Sequence, residues 1–330
     1  MNDRAIAPRL PGSAPLPQPL LFVMGKGGVG RSTTAAALAV LCARRGARTI
    51  VAELSGRGEL ARMFDRPPSA AASAAAGNEV EIAERLYAIQ IEPQRALDEY
   101  LREQLPLRVL ADLFGATRTL GFLAAATPGL PDLLSVGKIW ELAQPVRKVP
   151  GAEPYDRVIV DAPASGHSLA LLAAPQAFAR AAQAGPIARQ GREISAMLLD
   201  PARTAMLAVA TPHDAAVSEL LEMRSALAGE LGRELDAVLV NAMPANRFAS
   251  GDAVALRGAL AREGALGEDA RAAVERALDE AGEAHDARTQ VERLRNELPG
   301  TPLVELAFSH SAEFAVAELE ALADQLAEVL

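Results

Sequence analysis

Residues 25–33 read Gly-Lys-Gly-Gly-Val-Gly-Arg-Ser-Thr and follow directly on the apolar run Leu20 to Met24. An apolar run, a glycine-rich turn and an alanine-rich helical stretch in that order demand a strand, a tight loop and a helix start. Gly25, Gly27, Gly28 and Gly30 let the backbone turn and aim N–H groups at an anion, and the helix opening near Arg31 adds its positive end. This is the arrangement that cradles the phosphates of a nucleoside triphosphate. The span from Gly25 through Val29 to Thr33 is therefore the candidate nucleotide loop, with Ser32 placed to ligate Mg²⁺ and Thr33 to reach a phosphate. A lysine is usual where Arg31 stands. Arginine keeps the charge as a planar fork instead of a point charge, so the expectation is that binding survives and hydrolysis is weakened.

The rest of the chain supplies a sheet for such a loop. Strand-like runs occur at 20–24, 48–53, 86–91, 157–160, 205–210, 237–240 and 303–307, separated by helical stretches. Short apolar runs alternating with helices predict an α/β fold with a mainly parallel, doubly wound sheet. Residues 94–149 are long, mainly helical and apolar, and read as an inserted helical subdomain. Residues 250–297, rich in Ala, Glu and Arg, read as a charged helical insert, either one long helix or a hairpin. The tract at 68–77 reads as a flexible connection and residues 1–19 as a disordered, proline-rich tail. Everything from 20 to 330 is expected to form a single domain, and no internal repeat marks a fused pair of halves.

Composition narrows the function. The net charge is -9, which disfavours non-specific nucleic-acid binding and attachment to anionic lipid. The single cysteine, Cys42, cannot build a disulfide framework or a thiolate metal cluster. No signal-peptide pattern opens the chain and the run at 20–24 is too short to span a bilayer, so a cytoplasmic location without direct membrane insertion is expected. The C-terminal stretch carries Phe314, Leu319, Leu322 and Leu326 on one helical face with an acidic opposite face, a pattern for core packing.

A second motif, Tyr155–Leu169 (YDRVIVDAPASGHSL), places a strand-terminal carboxylate, Asp161, where it can hold the water shell of Mg²⁺. A strand ending in Asp and followed by Pro-x-x-Gly-His resembles the D-T-A-P-T-G-H switch of the ArsA/Get3 ATPases. With G-K-G-G-V-G it resembles the deviant P-loop class to which they belong. Segments 86–100 and 127–142 (TPGLPDLLSVGKIWEL), and Asn241 after AVLV, match that family more weakly. The resemblance implies ATP and Mg²⁺ as ligands, His167 in a γ-phosphate switch and Asn241 at the adenine. It also implies a dimer in which Lys26 reaches the nucleotide of the opposite subunit. The family's switch I aspartate falls at Ser55 in a gap-free register, with Glu53 the nearest carboxylate. The implied catalytic set is thus Lys26, Arg31 and either Glu53 or Ser55. The thiolates of an arsenite site and the C-x-x-C zinc clasp of the tail-anchor targeting dimer are absent.

The resulting expectation is a dimeric, ATP-binding switch with slow or impaired hydrolysis, coupled to an anion-transport or protein-targeting partner. The dimer would form between identical chains or with a more intact paralogue, and a hydrophobic client or membrane partner would engage residues 101–149. The alternatives are a ParA/MinD-like positioning ATPase and a non-catalytic nucleotide-binding subunit.

Overall fold

Strand β1 (Leu20–Gly25) is buried along its whole length, and the sheet is built outward from it. A computed structural model describes residues 16–54, 59–64, 68–104, 129–149, 151–182, 184–249, 251–262, 266–311 and 315–329. The further strands are β2 (Thr49–Glu53), β3 (Val80–Ala83), β4 (Leu86–Gln90), β5 (Arg157–Asp161), β6 (Thr204–Ala210), β7 (Ala237–Met243) and β8 (Leu303–Ala307). They form one sheet in the order β3-β4-β2-β5-β1-β6-β7-β8. Every pairing is parallel except that of β3 with β4. This is the doubly wound α/β sheet that the alternating runs predict. β1 and β6 read as continuous apolar runs because both of their faces are covered.

The described helices are α1 (Arg31–Arg44), α2 (Glu59–Met63), α3 (Pro68–Ala75), α4 (Pro93–Gln104), α5 (Leu130–Leu142), α6 (Ser165–Ala182), α7 (Pro186–Leu199), α8 (Asp214–Leu231), α9 (Asp252–Leu260), α10 (Glu268–Glu297) and α11 (Val316–Val329). Helix α1 buries Thr34 through Leu41. Its run of alanines lets it lie close on β1, β2 and β5, with α11 packed against it. Leu319, Leu322 and Leu326 of α11 are buried, so its apolar face serves the core; Phe314 lies outside the described residues. On the other side of the molecule α5, α6 and α7 pack together, and α4 lies on α5.

Some elements depart from the sequence reading. The tract at 68–77 is the helix α3, because its alanines are strong helix formers and Pro68 suits a first turn. Strand β3, absent from the sequence reading, is a short antiparallel edge strand with a register irregularity, and the glutamates in and beside it, Glu79, Glu81 and Glu84, hide it. The proline-rich tail is fixed at its end: Gln18 is buried with its side-chain amide on the Pro201 carbonyl, and Arg157 donates to the carbonyls of Pro17 and Gln18. Residues 1–15 of that tail lie outside the described residues, as do 105–128 of the 94–149 segment. The 250–297 stretch contains α9 and α10, which pack on each other. No helix among the described residues is long and apolar enough to cross a membrane.

Candidate functional site

The glycine-rich loop leaves the C-terminal end of β1, between β5 and β6, where the strand order diverges to both sides. Crevices at such ends are where doubly wound sheets bind ligands. Two glycines are required by contact. A Cβ on Gly25 would strike the Val209 carbonyl of β6, and one on Gly30, at φ +83°, would land on the Asn241 side-chain amide. The loop is thus wedged against the ends of β6 and β7.

Asp161 organises the inner side of the loop. It ends β5 and is only 1% exposed. Arg31 Nε donates to its Oδ1 at 2.9 Å and Ser32 Oγ to its Oδ2 at 2.6 Å. Arg31 Nη1 donates in turn to the Gly25 carbonyl at 3.0 Å, so the guanidinium bridges the first residue of the loop and the strand-end carboxylate. A buried carboxylate needs such compensation, and a charged fork supplies it with two directed bonds. The hydroxyl of Ser32 and the carboxylate of Asp161 are hard oxygen donors suited in kind to Mg²⁺. No group of three or more His, Cys, Asp or Glu among the described residues has a metal-holding arrangement.

Asn241 closes the loop from the other side. Its Nδ2 donates to the Val29 carbonyl at 2.9 Å. The residue occupies a bulge between β7 and β8, and the following Ala242 has φ +60°. A non-glycine residue in the left-handed region costs about 1–2 kcal/mol, and here the bend turns the Asn241 side chain onto the loop. Beyond it opens a cavity of about 700 Å³ lined by Pro212, His213, Ala242, Pro244, Arg247 and Phe308, among others.

The remaining candidates sit around this centre. Lys26 is exposed on the loop and pairs with Glu219 of α8 at 2.9 Å, within the same chain. His167, in the first turn of α6, is 65% exposed and lies 3.4 Å from Asp132 of α5. Sequence reasoning flagged the 127–142 segment but not Asp132; its place in the first turn of an apolar helix, three residues after Gly129, is the signal that could have found it. Glu53 stands beside Asp161 in the β2–β5 register, is fully buried, and accepts the backbone N–H of Leu60 at the start of α2. Ser55 lies outside the described residues. The structure therefore gathers Gly25, Val29, Gly30, Arg31, Ser32, Asp161 and Asn241 into one interlocked cluster, with Lys26 and His167 at its margins.

Behind the site the helical layer is tied to the sheet edge by buried charges. Arg147 holds Glu79 with Nη2 at 2.6 Å and Glu141 with Nε at 2.8 Å, and Tyr155 Oη donates to Glu79 at 2.8 Å. Burial opposes the charge on Glu141, but the Arg147 hydrogen bonds and the nearby Lys138 hold its carboxyl below the usual range. Burial, and then the charge of Glu79, push the Tyr155 hydroxyl far above the ordinary tyrosine value. Next to this network, a cavity of about 370 Å³ between α4, α5, α6 and α7 is walled by Leu97, Leu130, Leu133, Leu134, Phe178 and Ile194.

Comparison with known proteins agrees with this geometry. The profile of the family described as Anion-transporting ATPase matches residues 18–184. ATPase BagA of Mycobacterium tuberculosis is 33% identical over 228 residues, which cover 67% of this chain and 64% of that protein. ATPase ASNA1 homolog 1 of Paramecium tetraurelia is 30% identical over 158 residues, 47% of this chain and 43% of that protein. ATPase GET3C of Arabidopsis thaliana is 27% identical over 165 residues, 47% of this chain and 40% of that protein. The chain thus spans less than two thirds of the length of these relatives. The matched region holds both the loop wedged against β6 and β7 and the strand-end carboxylate that Arg31 and Ser32 share, and on that basis this chain belongs to the ArsA/Get3 anion-transporting ATPase family.

Proposed function

We propose that the chain is a nucleotide-dependent switch that binds ATP on residues 25–33 and hydrolyses it slowly to ADP and phosphate. The observation that carries this reading is the convergence of Arg31 and Ser32 on Asp161 at the foot of the glycine loop. The loop N–H groups and the first turn of α1 would receive the phosphates, and the cavity beyond Asn241 would take the base and ribose. Ser32 and Asp161 would hold Mg²⁺ where Arg31 gives up its bond to Asp161, and the metal would then supply charge neutralisation across the phosphate oxygens. Slow hydrolysis follows from two features of the chain. Arg31 is engaged with Asp161, and the carboxylate nearest the switch I position, Glu53, is fully buried and accepts the backbone N–H at the start of α2.

The switch would run through His167. Its contact with Asp132 links the turn after Asp161 to α5, so a γ-phosphate that draws His167 inward would pull on the helical layer. In this reading the protein works in the cytoplasm as a dimer of identical or paralogous chains. Lys26 exchanges Glu219 for the nucleotide of the opposite subunit, and the apolar cavity of the helical layer receives part of a hydrophobic client or partner. Equilibrium binding of ATP and ADP beside steady-state turnover tests it. Binding with turnover below about 1 s⁻¹, the slow end for enzymes, is expected. Faster turnover by the unmutated chain, or no nucleotide binding, refutes it. An Arg31→Lys, Ser55→Asp double variant is expected to turn over faster than the parent.

A further inference from the structure

Asp161 carries a fixed positive partner before any metal arrives. Its carboxylate is almost fully enclosed, Arg31 Nε holds Oδ1 and Ser32 Oγ holds Oδ2. The Arg31 side chain is itself only 11% exposed and is braced a second time on the Gly25 carbonyl. A guanidinium has five N–H bonds in one rigid plane, and these two contacts use two of them. The others can address a phosphate while the bridge stays closed. A lysine ammonium at this position is a single point charge on a flexible stem and cannot span carbonyl, carboxylate and phosphate in one plane. Releasing Asp161 to a metal shell would also strand the buried guanidinium at the base of the loop, a costly exchange.

We propose that the Arg31–Asp161 bridge withholds the strand-end carboxylate from Mg²⁺, so that the chain holds adenine nucleotides nearly independently of divalent metal. The proposal rests on the nucleotide-binding reading above and concerns how that same site handles its ligand. The magnesium dependence of affinity becomes the property that separates this loop from its lysine-bearing form. It also offers a means to keep the chain loaded where the metal-dependent steps are stalled.

The test is calorimetric titration of the full chain with ATP and with ADP, in millimolar Mg²⁺ and in excess EDTA, repeated with Arg31→Lys. For the unmutated chain the dissociation constants in the two conditions should agree within about threefold, less than 1 kcal/mol. For Arg31→Lys, Mg²⁺ should tighten ATP binding by about tenfold or more, equivalent to about 1.4 kcal/mol. A tenfold or larger Mg²⁺ dependence in the unmutated chain overturns the proposal while leaving nucleotide binding intact. Absence of binding in both conditions overturns the nucleotide reading itself. Should Arg31→Lys lose its folded circular dichroism, the unmutated comparison decides alone, and the protection by ATP in EDTA against thermal unfolding is its second readout.

Discussion

Arg147→Met is expected to cost about 3 kcal/mol of stability at pH 7, near the low end of the range for breaking a buried ion pair. The Arg147 side chain is fully buried, and it forks between Glu79 (2.6 and 3.2 Å) and Glu141 (2.8 and 3.1 Å). Methionine fills a similar volume, so the loss is electrostatic and directional, with no large cavity term. A buried carboxylate, Glu141, and a partly buried one, Glu79, are left without the group between them. The cost stays at the low end because both keep other partners. Glu141 retains Lys138 at 3.4 Å and the Lys148 backbone N–H at 3.3 Å, and Glu79 retains the Tyr155 hydroxyl and is a quarter exposed. The pH dependence has a definite sign. In the unmutated chain the Glu141 carboxyl is held below its usual range, so its contribution is present at neutral pH and lost as pH falls through its folded value. In the variant burial acts without the guanidinium, the carboxyl takes up a proton more readily, and the repulsion is relieved as pH falls. The difference between the two proteins should therefore shrink from pH 7 toward pH 4.5. Urea unfolding followed by circular dichroism across that range measures it. A loss below about 1 kcal/mol, or one that does not change with pH, refutes the assignment of the network as a buried clamp.

Gly30→Ala should weaken ATP binding by about tenfold or more, since its Cβ meets the Asn241 amide, whereas Gly46→Ala, at φ +89° with open space around it, should cost only the left-handed penalty of about 1–2 kcal/mol; equal effects on binding would refute the wedge. Ala242→Gly should raise stability by about 0.5 kcal/mol, the relief at φ +60° net of the added unfolded-state entropy, and a denaturant midpoint that falls would contradict it. Lys26→Met should change monomer stability by less than about 0.5 kcal/mol, because its pair with Glu219 is largely exposed, yet alter nucleotide turnover; the two measurements together separate a structural from a functional lysine. Cys42 should resist iodoacetamide at pH 7.5 until the chain is unfolded, since burial raises its thiol despite Arg157 and Arg45; rapid labelling of folded protein would count against it.

Much of the fold was written in period and punctuation. Every one of the seven apolar runs became a strand, the central ones because a strand covered on both faces has no reason to carry polar residues and the edge strand β8 by alternation of buried and exposed positions, and the glycine loop announced its own turn. What escaped was local structure fixed by partners. β3 has four residues, one of them the exposed Glu81, and exists because β4 offers it an edge. The Ala-rich α3 was read from its small residues as a tether, although alanine favours a helix once packing is available. In the site, residue types were legible and their engagements were not. Arg31 could be read as a phosphate ligand, but its hold on Asp161 depends on β5 lying directly beside β1, a pairing no local pattern encodes. Likewise Asn241 could be read toward a base, while its bond to Val29 depends on the bulge before Met243.

The central position of β1 has a consequence for the order in which the chain is made. Its two neighbours, β5 and β6, are both synthesised long after it, and Asn241 follows Val29 by 212 residues. The glycine loop is complete in sequence well before its walls and acquires them only when β5, β6 and β7 have emerged. A ribosome-bound chain ending before Thr204 leaves one whole edge of β1 without its partner. The oldest part of the site is thus the last to be enclosed. Because contacts so distant in sequence close late, a ligand seated in the loop should act chiefly by slowing the opening of the finished molecule and only slightly by hastening its assembly.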